Sequence, residues 1–274
     1  MAEYTDDSGF LTFLYETVPG RVVLKALTAP ALSKVAGNYL DTKDSCRLIP
    51  GFVKKNSIDL SLCRKASFDS FNDFFTRQLK EELRPVASDP SAFISPCDGR
   101  LSVYDIEKDS TFSIKGSRYT VSDLLGGSPV ASRYRGGKCL VIRLCVNDYH
   151  RYHYVDSGTK GENHFIPGVL HTVRPIALRN YPVFVQNARE YTVLHTEHFG
   201  DVTQVEVGAI LIGRIANHHG AGPIVRGDEK GKFLYGGSTV VLLLEPDKVN
   251  LLPQYPADGE ERQVQFGTTL GYAK

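Results

Sequence analysis

Residues 191–207 read YTVLHTEHFGDVTQVEV, and the fold class turns on this stretch. Residues 191–195 and 202–207 are rich in β-branched side chains, and the polar segment 196–201 between them carries Gly200. Two such runs around a short turn predict an antiparallel hairpin. Upstream, Leu140, Ile142, Leu144 and Val146 alternate with their neighbours and share one strand face. Residues 209–215 and 239–244 are further apolar, β-branched runs. Strands do not alternate with helices anywhere in the chain, which excludes a doubly wound parallel sheet.

The first 85 residues read differently. Phe10, Leu11, Phe13 and Leu14 form an apolar segment that Pro19-Gly20 interrupts. Val22, Val23, Ala26 and Leu27 follow as far as Pro30, and Leu32, Val35, Ala36, Tyr39 and Leu40 recur at helical spacing. Phe68, Phe71, Phe74, Phe75 and Leu79 predict another helix, capped by Ser70 with Asp73 and stopped by Pro85. The expected architecture is α+β: short amphipathic helices over residues 1–85, laid on a mostly antiparallel β-rich domain over 86–274.

The 274 residues include 32 Lys and Arg against 31 Asp and Glu, a net charge of +1, which excludes the broad basic face of a nucleic-acid binder. The longest stretch free of these charges, 233–244, is shorter than the roughly 18 residues of a membrane span. Five cysteines without a CxxC pair, and no secretory signal, predict reduced thiols in a protein that is not secreted.

Three clusters carry candidate chemistry. Ser95-Pro96-Cys97-Asp98-Gly99 presents a carboxylate from a turn. Asp148-Tyr149-His150-Arg151-Tyr152-His153 gathers proton-transfer and anion-binding groups where a strand ends. Gly236-Gly237-Ser238-Thr239 sets a serine behind paired glycines at the start of a strand. Read singly, these are a turn, a solvated loop and a β-bulge. Val240 stands where a nucleophile elbow needs its last glycine. No metal is expected. His150/His153, His195/His198 and His218-His219 lack both an HExxH pattern and a nearby cysteine at zinc spacing.

In this order the clusters resemble the phosphatidylserine decarboxylase family. The likeness begins at Phe74-Phe75-Thr76-Arg77-Gln78-Leu79-Lys80 with Arg84-Pro85 and passes through the Asp98 turn, Lys115-Gly116 and the His150/His153 segment. It continues at Pro167-Gly168, Asn187-Ala188-Arg189-Glu190, Phe199-Gly200 and Val207-Gly208-Ala209, and closes on Gly237-Ser238-Thr239. Cys97, Gly236 and Arg214 stand where the family often has Ala or Gly, Leu, and Ser. The N-terminal spanning helix of many members has no counterpart here.

The resemblance implies an enzyme that makes its own pyruvoyl cofactor by cutting itself between Gly237 and Ser238. It makes Ser238 the nucleophile, His153 its base, Asp98 the carboxylate that orients His153, and Asp148 an auxiliary. His150 becomes the acid that protonates the product of decarboxylation. The implied reaction turns phosphatidylserine into phosphatidylethanolamine and carbon dioxide. The implied partners are a phospholipid at a membrane surface and the two self-cleaved chains, with a homo-oligomer left open. The location is peripheral on the cytoplasmic side of the membrane, or cytoplasmic. Phe10, Leu11, Phe13, Leu14, Val22, Val23 and Leu27, with Arg21 and Lys25, are the segment that would meet lipid. They would equally serve to cover the β core. Alternatives remain open: a pyruvoyl-dependent decarboxylase of a free amino acid, a non-processing serine hydrolase on Asp98, His153 and Ser238, and a non-catalytic binding protein.

Overall fold

The computed structural model describes residues 9–114, 117–209, 214–235 and 238–274. The α+β architecture read from the sequence is the one observed. Helices Gly9–Glu16, Val18–Leu27 and Pro30–Leu40 follow one another at the N-terminus. Pro19-Gly20 does not separate the first two, contrary to expectation. Pro19 falls in the first turn of Val18–Leu27, where a missing N–H costs nothing. The break is at Thr17, whose hydroxyl accepts the Gly20 N–H at 3.0 Å and caps the second helix.

The helix expected to run on past Leu79 is only Phe71–Phe75. Ser70 caps it as predicted, accepting the Asp73 N–H at 3.1 Å. The chain then leaves because its backbone pairs elsewhere: the Arg64 N–H donates to the Gln78 carbonyl and the Lys80 N–H to the Leu62 carbonyl. Helical periodicity in the phenylalanines was real but short. Phe71, Phe74 and Phe75 pack with Leu40 and Ile58 in a small core of their own.

The main sheet is antiparallel, in the order Gly222–Ile224, Gly158–Lys160, Arg189–Thr196, Asp201–Gly208, Ser238–Leu244, Lys138–Leu144, Gly99–Asp105 and Arg262–Val264. The predicted hairpin forms with Asp201 opposite His195 and Val207 opposite Arg189. Ser238–Leu244 lies at the centre with every residue buried. Val241 and Leu243 face one core, shared with Leu14, Tyr15 and Leu24 of the N-terminal helices. Val240, Leu242 and Leu244 face the other, beneath Tyr152 and Phe233. A strand buried on both sides needs a continuous apolar run, which residues 240–244 supply.

Over that second face lies a small sheet of Ile215–Asn217, Glu229–Phe233 and Arg151–His153. A buried ion pair ties it down: Lys230 Nζ donates to Glu206 Oε1 at 2.8 Å and to Asn217 Oδ1 at 2.9 Å. Most of the predicted run 209–215 lies outside the described residues, as do Lys115-Gly116 and Gly236-Gly237.

Candidate active site

Register brings the clusters to one end of the main sheet. Ser238 opens its strand opposite Leu144 on one side and Gly208 on the other. Leu144 is the last residue of Lys138–Leu144, so the Asp148–His153 segment starts beside Ser238. The turn ending at Asp98 feeds Gly99–Asp105, whose Arg100 pairs with Arg143 on the far side of the same strand. Ser238 is fully buried, and its Oγ has no hydrogen-bond partner among the described residues. Buried hydroxyls are nearly always paired, since leaving one unpaired costs about 1–3 kcal/mol. Gly237, the other half of the predicted cleavage site, lies outside the described residues.

His150 is fully buried against Phe75, with ring centroids 4.0 Å apart. Its Nδ1 lies 3.0 Å from the Asp148 carbonyl, and its Nε2 is buried with no partner among the described residues. Burial, and then the nearby Arg77 charge, push its pKa down to about 3. The ring is neutral, Nδ1–H donates to Asp148, and Nε2 keeps its lone pair. Arg77 fixes the same loop from below, donating to the carbonyls of Asn147 at 2.8 Å and Asp148 at 3.3 Å. The Asp148 carboxylate accepts the Cys145 N–H at 2.6 Å, and burial holds its pKa above the usual range.

His153 lies in Arg151–His153, paired with Glu229–Phe233. Its Nδ1 meets the Pro96 carbonyl at 3.1 Å, and no hydrogen bond engages its Nε2 among the described residues. Burial pushes its pKa down to about 4, against smaller upward effects of the Pro96 carbonyl, Glu229 and Asp98. A neutral imidazole with a free Nε2 can take a proton.

Asp98 is not hydrogen-bonded to His153. Its oxygens accept Arg84 Nε at 2.8 Å and Arg84 Nη2 at 2.5 Å, and Oδ1 also accepts the Phe266 N–H at 2.9 Å. A guanidinium fork takes both carboxylate oxygens at once, and Pro96 fills the Nδ1 position that a triad would give to Asp98. Register thus brings Ser238, the turn that carries Asp98 and the strand end leading to Asp148, His150 and His153 to one end of the sheet. Asp98 acts on His153 by charge, with no hydrogen bond between them among the described residues. Arg77 and Arg84 belong to the matched N-terminal motif, yet nothing in the sequence gave them a role. Phe75 belongs to the same motif, whereas no motif or periodicity marks Phe266.

The remaining histidines have other partners. His195 pairs with Asp201 at 2.6 Å, His198 with Asp156 at 3.2 Å and His218 with Glu229 at 2.5 Å. Among the described residues no three His, Cys, Asp or Glu side chains form a metal-holding group.

The depressed histidine pKa values make stability depend on pH. Each imidazole is neutral when folded and titrates near 6.5 when unfolded, so unfolding takes up protons in acid. Their contribution is complete above about pH 6.5 and is lost as the pH falls toward 4 and 3. Chemical denaturation of the Ser238→Ala protein should show stability falling below pH 6.5, each group adding up to about 1.4 kcal/mol per pH unit. His150→Gln should reduce that slope by about one proton; an unchanged slope would contradict the buried neutral ring.

Comparison with known proteins supplies the family. A family profile described as phosphatidylserine decarboxylase matches residues 71–272. Phosphatidylserine decarboxylase proenzyme 2 of Clostridium acetobutylicum is 41% identical over 268 residues, 96% of this chain and 92% of the relative. The phosphatidylserine decarboxylase proenzyme of Clostridium botulinum is 40% identical over 271 residues, with the same shares covered. That of Desulfitobacterium hafniense is 38% identical over 270 residues, 95% of this chain and 91% of the relative.

Proposed function

Because the chain belongs to the phosphatidylserine decarboxylase family, we propose that it is a self-processing proenzyme that converts phosphatidylserine to phosphatidylethanolamine and carbon dioxide. The observation that carries the assignment of the site is the buried, unpartnered Ser238 Oγ at the start of the central strand. His153 Nε2 takes the Ser238 hydroxyl proton, and the Oγ attacks the Gly237 carbonyl carbon. The Gly237–Ser238 C–N bond breaks, its nitrogen gains a proton, and the peptide becomes an ester. Asp98, though not hydrogen-bonded to the ring, lends negative charge that favours the imidazolium. Loss of the Ser238 α-proton then expels the Gly237 carboxylate and leaves dehydroalanine. Water converts this to a pyruvoyl group with release of ammonia.

The residues fit that group: the unpaired Ser238 Oγ marks an atom held for reaction, and a neutral imidazole can serve as its base. A pyruvoyl carbonyl supplies an electrophile for the substrate amine and a sink for the electron pair left by carbon dioxide. The chain's own contribution to turnover is His150. Its Nε2 is the ring atom able to carry a proton to the carbon that loses the carboxylate, while Phe75 and the Asp148 carbonyl hold the ring. Scission need not separate the fragments. Ser238–Leu244 stays between Asp201–Gly208 and Lys138–Leu144, and Thr269–Ala273 pairs with Ala92–Ile94.

The N-terminal helices provide the lipid contact in this reading. Leu14, Tyr15 and Leu24 are buried, whereas Phe10, Val18 and Val22 are 61%, 69% and 71% exposed beside exposed Arg21 and Lys25. A helix pair apolar on both faces covers the core with one and suits a bilayer interface with the other. The exposed Val169 adjoins the end of Val18–Leu27, because the Leu170 N–H donates to the Thr28 carbonyl. No described helix is long and apolar enough to cross a membrane.

Vesicles containing phosphatidylserine test both parts. The processed protein should release carbon dioxide from the lipid and none from free serine; release from serine alone would overturn the substrate assignment. It should also float with the vesicles, and Phe10→Asp with Val22→Asp should lose flotation while still splitting. Undiminished flotation would remove these helices as the anchor.

A further inference from the structure

Phe266 lies in the fragment 238–274 that the proposed scission creates, so any role it has in scission rests on the self-processing reading. Its ring lies flat on the His153 imidazole, with centroids 3.6 Å apart and planes inclined by 11°. Its backbone N–H donates to Asp98 Oδ1 at 2.9 Å, and Arg84 grips that carboxylate through both oxygens. The imidazole is therefore fixed in its plane by Phe266 and about its axis by the Pro96 carbonyl, which leaves Nε2 free. We propose that Phe266 is a positioning residue for the base: Arg84 and Asp98 set its backbone, its ring sets and shields the His153 imidazole, and Asp98 acts on His153 through Phe266 rather than by a direct hydrogen bond. In the uncut chain the segment after the scission site supplies the nucleophile and the ring above the base, and the segment before it supplies the base itself.

The shielding has a measurable consequence. Phe266 is 8% exposed and His153 5% exposed, so a smaller side chain at 266 admits water to the imidazole. The groups that face the ring are Asp98, Glu229 and Arg151 as charges and Phe266 and Tyr149 as aromatic neighbours. With the shield in place, burial holds the imidazole at about 4. Without it, the ring returns toward the ordinary value of about 6.5.

The test uses full-length chain from cell-free translation, transferred to buffers across pH 4.5 to 8 and followed on denaturing gels. Wild-type scission should hold its rate down to about pH 5. Phe266→Ala should slow scission at pH 8 roughly ten- to a hundredfold, the range for a misplaced catalytic group. The pH at which its rate halves should also rise from about 4 toward 6.5, a shift that lower overall stability alone does not produce. Phe266→Tyr, which keeps the flat ring, should restore both features. Should Phe266→Ala not fold, Phe266→Leu decides, since it keeps most of the volume without the flat ring. Folded Phe266→Ala or Phe266→Leu protein with the wild-type rate and the wild-type acid limb would overturn the proposal. His153→Ala that still splits would overturn the base assignment beneath it. A blocked His153→Ala beside unchanged Phe266 variants would sink this inference alone.

Discussion

His153→Ala should leave the protein as one chain, with scission slowed by roughly 10³-fold or more, as when a serine nucleophile loses its base. The geometry states the reason. The imidazole offers a free Nε2 because Nδ1 is engaged by Pro96, and burial keeps it neutral down to about pH 4. A serine hydroxyl is a poor nucleophile until its proton is removed. Of the other candidate groups, the two carboxylates are already engaged: Asp98 accepts from Arg84 and Phe266, and Asp148 from the Cys145 N–H. His150 faces Phe75 and carries the lower pKa, about 3, which makes it the weaker base. Gel analysis of the variant over hours decides the matter. Ordinary splitting would remove His153 from the mechanism.

His150→Ala should do the opposite. It should split, and then release carbon dioxide from phosphatidylserine about 10²- to 10⁴-fold more slowly, the range for losing a positioned acid. The ring is clamped on every side that counts: Phe75 against its face, the Asp148 carbonyl at Nδ1, and the Phe233 N–H on its backbone carbonyl. Nε2 is left as the one ring atom able to exchange a proton. The Phe233 contact also joins His150 to the strand that leads toward the cleavage site, so its backbone must persist in the variant. Splitting and carbon dioxide release measured on the same sample separate the roles of the two histidines. Normal turnover by split His150→Ala protein would end the assignment.

The sheet was legible because its cues are local. The alternation of Leu140, Ile142 and Leu144, the hairpin around Gly200 and the apolar run 240–244 each report a strand within a few residues. The chemistry was legible only as a motif order. Ser238 pairs with Leu144, the strand end from which the chain runs on to His150 and His153, and no local cue in the sequence carries that adjacency. Arg84 reaches Asp98 across 14 residues and Phe266 across 168, and such pairings leave no periodic trace. The Asp98–His153 contact was expected because a triad needs an orienting carboxylate; the folded chain gives that orienting hydrogen bond to a carbonyl instead. Pro19 misled for a related reason. A proline stops a helix it falls within but suits the first turn of one, and only the Thr17 cap distinguishes the two.

The most direct measurement is the intact mass of the purified protein and of its Ser238→Ala variant. Wild type should give fragments 1–237 and 238–274, the smaller lighter by one ammonia than a serine-initiated peptide and reactive toward carbonyl reagents. Ser238→Ala should give a single chain. A wild-type small fragment that begins with an intact serine, or a wild-type chain that never splits, would contradict self-processing at Ser238.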